Sequence, residues 1–247
     1  MEWRDEGVVL GLRRQGETSV VVEAMTRGHG RHLGLVRGGR SPKMSGTLQP
    51  GNTLQLGWRA RLDEHLGYYQ IEPLTLRAGR FLPSAQALSG LGYLGELLRL
   101  LPERDPHEGL YEALVVILDA LDDPRLAPPM VALFEARLLL ESGFALDLSE
   151  CALTGVNDDL IYVSPKTGRA VSASAGEDWK DRLLPLPAFL REGRTSAPDL
   201  AAVADAFRLT GHFLRRELFA PRGLELPDSR RAFLAAAARQ TNPNSAK

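Results

Sequence analysis

The hydrophobic period of this chain changes once, near residue 80, and that change restricts what it can fold into. From Val8 to Arg77 the apolar residues come in short runs of β type, GVVLGLRR, TSVVVEAM, RHLGLVR, TLQLGWRA and LGYYQIEPLTLR, separated by Gly, Pro, Asn and Asp. In the fourth run Leu54, Leu56, Trp58 and Ala60 alternate with Thr53, Gln55, Arg59 and Arg61, which predicts one buried face and one wet, basic face. Five short strands with no helix among them to cover a flat sheet predict closure into a small barrel; an OB-fold fits, and an SH3-like barrel fits nearly as well.

Beyond residue 80 the period becomes helical. Leu88, Leu91, Leu94, Leu98 and Leu101 predict a helix over Ala85 to Leu101; Leu110, Leu114, Ile117 and Leu121 predict a second, and Met130, Leu133, Phe134, Leu138 and Leu140 a third. Leu200, Val203, Phe207, Leu214 and Leu218 predict a fourth, opened by Pro198 and Asp199, and RRAFLAAAAR a last one behind Asp228 and Ser229. Strands first and helices afterwards predict an α+β protein: a barrel domain over 1–79, a helical domain over 80–240 with an irregular insert at about 150–178, and a disordered tail over 241–247.

Charge is divided along the same line. Residues 1–80 carry 12 Lys and Arg against 8 Asp and Glu, leaving 18 against 23 for the rest. The most one-sided stretch is MTRGHGRHLGLVRGGRSPK, Met25 to Lys43, where Arg27, Arg31, Arg37, Arg40 and Lys43 stand among glycines with no acid between them. Such a run suits a phosphate backbone. The acids of MEWRDEGVVLG and the lack of a long apolar segment predict neither a signal peptide nor a membrane span, hence a cytoplasmic protein.

The usual enzyme signatures are missing. Gly28, Gly30 and Gly34 miss the dinucleotide spacing by one residue; there is no Walker A run, no Gly-x-Ser-x-Gly and no His-Glu-x-x-His, and the five histidines lack ligand spacing. No catalytic residue and no cofactor are therefore predicted. Cys151, Thr154 and Gly155 outline a zinc knuckle without its second cysteine; with a single thiolate and no histidine in the insert, no metal is predicted, and Cys151 reads as a small buried residue.

The phrases EGVVLGLRRQGETSVVVEAMTRGHGRHLGLVRGG, LLLESGFALDLSECALTG, VSPKTGRAVS and LRRELFAPRGLELPDSRRAFL together give a resemblance across nearly the whole chain: it resembles the RecO family of bacterial DNA repair proteins. The resemblance implies an amino-terminal OB-fold, a helical domain, and an insert that in many members holds zinc on four cysteines, of which only Cys151 is kept here. It also implies a recombination mediator that binds single- and double-stranded DNA and anneals complementary strands. Such a mediator grips the acidic carboxyl-terminal tail of single-stranded DNA-binding protein and, with RecR, helps RecA onto the strand, near the nucleoid during repair. A protein-binding adaptor and an RNA-directed OB-fold protein are the alternatives.

On that reading the expected phosphate contacts are Arg13, Arg14, Arg31, Arg37, Arg40 and Lys43, with Arg59 and Arg61 on the wet face. Tyr68 and Tyr69 alternate, so only one can face outward as a base-stacking platform, and a core position is the ordinary fate of either. Arg137, Arg215 and Arg216 are the candidates for an acidic tail, set against internal pairing with Glu135, Glu141 or Glu217.

Overall fold

The computed structural model describes residues 1–193 and 198–241; the tail predicted over 241–247 lies, beyond Thr241, outside them. By packing, the chain forms two compact units: Met1–Asp122 with Ser229–Ala236, and Asp123–Asp228 with the residues from Ala237 on.

The first unit is built on five strands, β1 (Glu2–Gln15), β2 (Ser19–Thr26), β3 (Gly30–Val36), β4 (Thr53–Arg59) and β5 (Tyr68–Thr75), with a one-turn helix α1 (Pro42–Ser45) after β3. They close in the order β1-β2-β3-β5-β4. β1 serves two neighbours: Glu2–Val8 pairs with β4 and Gly7–Gln15 with β2, and a bulge between Val9 and Gly11 lets it bend from one to the other. The closing contact is thin, one parallel pair of Leu35 with Tyr68, supported by Leu35 N–H donating to the Gly67 carbonyl at 3.0 Å. This is the five-stranded, partly open barrel of an OB-fold.

Inside lie Val9, Val20, Val22, Ala24, Val36, Leu54, Leu56, Trp58 and Tyr69. Gly34 has no side chain because the Tyr69 ring crosses it; a Cβ there would sit 2.5 Å from the ring. The outward residues Val8, Val21 and Met25 are also buried. The reason lies in the helices that follow, α2 (Ala78–Phe81), α3 (Ala85–Leu98) and α4 (Glu108–Ala120): α3 runs against β1, with Gly95 facing the Leu10 carbonyl. Asn52 ties these parts together. Its Oδ1 accepts from the N–H of Arg77 and Ala78 at 2.8 and 3.0 Å, and its Nδ2 donates to the carbonyls of Gly46 and Thr47. All four hydrogen-bonding positions of a buried amide are thereby filled.

The second predicted helix is buried at Leu110, Leu114 and Ile117, as its period requires. The first ends at Leu98, earlier than its leucine repeat suggests, and Leu88 stands 47% exposed. Its buried stripe is turned toward Gly90, Leu94 and Leu97, because Phe233 packs where a Gly90 side chain would be.

In the second unit α5 (Ala127–Glu141) packs against α8 (Leu200–Phe213), and the Thr210 hydroxyl donates to the buried Glu135 carboxylate. Asp199 caps α8 by accepting from Ala202 N–H at 2.7 Å. The segment expected to be irregular is ordered: β6 (Leu160–Val163) is the middle strand of a small antiparallel sheet with β7 (Ala170–Ser172) and β8 (Leu184–Pro185), joined through the short α6 (Ala173–Gly176) and followed by α7 (Ala188–Glu192). Strands of two to four residues are too short to display a period. The last helix, α9, runs over Asp228–Thr241.

Candidate nucleic-acid interface

Strand register links two of the predicted barrel cations, Arg13 and Arg59, along a line that winds round the outer face and returns to β1 eleven residues from where it began. Arg13 pairs with Val21, Val21 with Leu35, Leu35 with Tyr68, Tyr68 with Arg59, and Arg59 with Glu2. Arg14 stands one residue on, opposite Val20, where β1 enters the Gly16 turn, which φ = +64° at Gly16 makes possible. Arg40 closes over that turn: its N–H donates to the Thr18 carbonyl at 3.0 Å and its guanidinium to the carbonyls of Gly16 and Glu17. Arg37, leaving β3, places its guanidinium 4.4 Å from the centre of the Tyr68 ring.

Arg13, Arg14, Arg59, Arg61 and Lys43 are exposed, and none has a side-chain hydrogen bond or ion pair among the described residues. Arg37 has only the ring, and Arg40 only carbonyls. These cations therefore keep their full charge for an outside anion. They line the β1–β2 turn, the exit of β3 and the β4–β5 loop, and the first and last of these flank the oligonucleotide site of OB-folds.

Arg31, expected among the phosphate contacts, is placed otherwise. Its side chain is 12% exposed, paired with Glu23 at 3.0 Å and Glu103 at 3.4 Å, and hydrogen-bonded to the Leu101 carbonyl. Arg99 adds a second cation on Glu23 at 2.7 Å. Arg31 thus fastens β3 to the segment after α3, and Arg27 is likewise held by Glu112, Glu108 and Glu6. The outer face of β4 is not uniformly basic either. Thr53 is buried under Arg77, whose guanidinium donates to it at 2.7 Å, and Gln55 lies between Glu6 and Glu72 in register. A shallow depression over Gly57 is rimmed by Glu2, Arg4, Gln55, Gln70 and Glu72, with Arg4 and Glu72 paired at 2.9 Å.

Sequence reasoning missed Arg104. At φ = +64° it donates from its N–H to the Arg31 carbonyl at 2.9 Å, and its guanidinium holds the carbonyls of Asp63 and His65 in the β4–β5 loop. Its only signal was a turn between two prolines, Pro102 and Pro106. Beneath that loop is an aromatic cluster of Trp3, Trp58, Tyr69, His29 and His32. Burial, reinforced by Arg104, lowers the His32 imidazole to about 4, while a hydrogen bond with the Leu33 backbone acts the other way.

The candidates for an acidic tail lie in the second unit and are each engaged. Arg137 pairs with Glu141 at 2.7 Å one turn on. Arg216 pairs with Glu217 and donates to the Pro165 and Lys166 carbonyls of the β6–β7 turn, while His212 Nε2 meets the same Pro165 carbonyl at 3.1 Å. Arg215 is the most open, 3.8 Å from a Glu225 whose side chain is 88% exposed. A π-helical turn, Leu214–Phe219, sets the directions of Arg215 and Arg216.

The insert does not fit a zinc ion. The Cys151 sulfur accepts from Ser172 N–H at 3.4 Å and meets the Ser172 hydroxyl at 3.5 Å. Burial pushes this thiol up, but hydrogen bonds from the Ser172 and Thr154 hydroxyls and from backbone N–H groups outweigh it and bring it down to about 6. Hydroxyls thus stand beside the sulfur where a tetrahedral site would need thiolates or imidazoles. No group of three or more His, Cys, Asp or Glu suited to a metal occurs among the described residues, and no helix among them is long and apolar enough to cross a membrane.

Comparison with known proteins covers both units. Residues 1–77 match the family described as "Recombination protein O N terminal" and residues 83–224 that described as "Recombination protein O C terminal". A DNA repair protein RecO of Chelativorans sp. strain BNC1 is 59% identical over 239 residues, 97% of this chain and 96% of its own length. That of Mesorhizobium japonicum is 59% identical over 236 residues, covering 96% and 93%, and one from Rhizobium etli is 54% identical over 245 residues, covering 99% and 96%. With both family models and relatives of this identity matching over nearly its whole length, the chain belongs to the recombination protein O family.

Proposed function

We propose that this protein is a DNA-binding mediator of recombinational repair that anneals complementary strands and assists RecA on single strands coated by single-stranded DNA-binding protein. The observation that carries the reading is the set of uncommitted cations on the connections of the barrel, Arg13, Arg14, Arg37, Arg40, Arg59 and Arg61, exposed by loop geometry rather than grouped by sequence. Lys43 on α1 extends it. Neutralising a phosphate backbone needs such cations and no bond-making chemistry, so no catalytic residue is assigned. Contacts of this kind serve single and double strands alike, which a strand-annealing protein requires.

The partners follow from the family and are proposed with it: RecR, and the acidic carboxyl-terminal tail of single-stranded DNA-binding protein. Arg215 is the strongest of the three candidates for that tail, since Arg137 and Arg216 already hold closer carboxylates. The direct test is annealing of complementary oligonucleotides coated with single-stranded DNA-binding protein. A variant with Arg13, Arg37 and Arg40 all changed to Ala is expected to slow annealing roughly tenfold or more, each lost phosphate contact weakening binding about uniformly across sequences. Unchanged annealing would remove these cations from the account.

A further inference from the structure

Of the aromatic side chains on the strands of the barrel, Tyr68 is the exposed one. It lies in β5 beside Tyr69, which faces inward at 5% exposure, whereas Tyr68 stands 44% exposed. A tyrosine left outward on a strand loses the burial that usually justifies the residue there. Its neighbours are cationic. Arg37 is stacked 4.4 Å from the ring centre, and Arg59 is its cross-strand partner on β4. The backbone beneath is fixed, because Leu35 N–H holds the Gly67 carbonyl and Arg104 holds the loop that leads into β5.

We infer that Tyr68 is a base-stacking platform which makes this barrel prefer an unpaired strand over a duplex. The inference rests on the DNA-binding reading above and adds the residue that tells the two forms of DNA apart. Phosphate contacts alone carry no such preference, since both forms present the same backbone chemistry. A base can stack on an aromatic ring only when its own face is free, and in a duplex that face is covered by its neighbours in the stack. Tyr68 supplies a ring held in place by Arg37 on part of its surface, with the remainder open. Arg37 and Arg59 would take the phosphates on either side of the stacked base. Because every base has a flat face, the platform is indifferent to sequence.

The test is a set of anisotropy titrations with the full chain against three probes of equal length: a thymidine oligonucleotide, an abasic phosphodiester strand, and a blunt duplex. Tyr68→Ala is expected to weaken the thymidine strand by about 5- to 150-fold, the effect of losing one base–aromatic stack. Binding of the abasic strand and of the duplex should change by less than about twofold, and the salt slope for all three should stay the same, since no phosphate contact is removed. Tyr68→Phe keeps the ring and should restore the wild-type preference, and Tyr68→Leu, bulky but without a π face, should not. Equal loss on all three probes, or none on the thymidine strand, would overturn the stacking site while leaving the DNA-binding reading intact. A wild-type protein that binds none of the three would overturn both.

Discussion

An arginine can reach a phosphate only if no carboxylate of its own chain holds it first, and this distinction separates residues the sequence shows as alike. Arg31 and Arg37 belong to the same glycine-rich basic run, yet Arg31 is closed between Glu23 and Glu103 while Arg37 lies open on an aromatic ring. Nothing in the spacing of the run distinguishes them, because Glu103 is 72 residues away and reaches Arg31 only once the chain has folded. His32 carries a prediction at this scale. Its imidazole titrates at about 4 in the fold, through burial and the nearby Arg104, against about 6.5 in an unfolded chain. Between those values the unfolded state binds the extra proton, so stability is lost as pH falls from about 6.5 to 4 and levels off below. The loss should be about 3 kcal/mol. Denaturant unfolding at several pH values should show this slope in the wild type and a flatter one in His32→Asn; equal slopes would place the titration elsewhere.

At the scale of the element, legibility followed strand length and repetition. Alternation over seven residues in β4 revealed its buried face, and the leucine period revealed α4 and its buried side. The insert hid its sheet because its strands are shorter than a period, and its order comes from contacts across the chain: the Cys151 sulfur with Ser172, and His212 and Arg216 on the β6–β7 turn. Those contacts predict a segment that folds without metal. Chelators should leave the melting temperature unchanged, whereas Cys151→Ala, which strips the buried Ser172 N–H and hydroxyl of their acceptor, should cost about 1–3 kcal/mol. A melting temperature that falls on treatment with chelator would instead indicate a structural ion, since folding and metal binding are then coupled.

For the molecule as a whole, the change of period and the split in charge were enough to predict an α+β chain with a basic barrel, and the resemblance added the family. The exposed surface of the barrel's connections was only partly visible. Sequence placed Arg59 and Tyr68 in different runs, and only the pairing of β4 with β5 makes them neighbours. Conversely, the acidic rows of Glu2, Glu6 and Glu72 beside β4 could not be seen until β1 and β5 were known to flank it. On the proposed reading, function depends on closure of the barrel, with the cations offered to DNA supplied by three connections and held by the strands between them.

The central claim is that these cations bind nucleic acid through its phosphates. It is tested most directly by the salt dependence of affinity for a single-stranded oligonucleotide, wild type against a variant with Arg13, Arg14, Arg37 and Arg59 all changed to Ala. Each cation removed from a single-strand contact should reduce the slope of log affinity against log salt by about 0.7, so the four together should lower it by up to about 3. A variant with the same affinity and the same slope as the wild type would contradict the account.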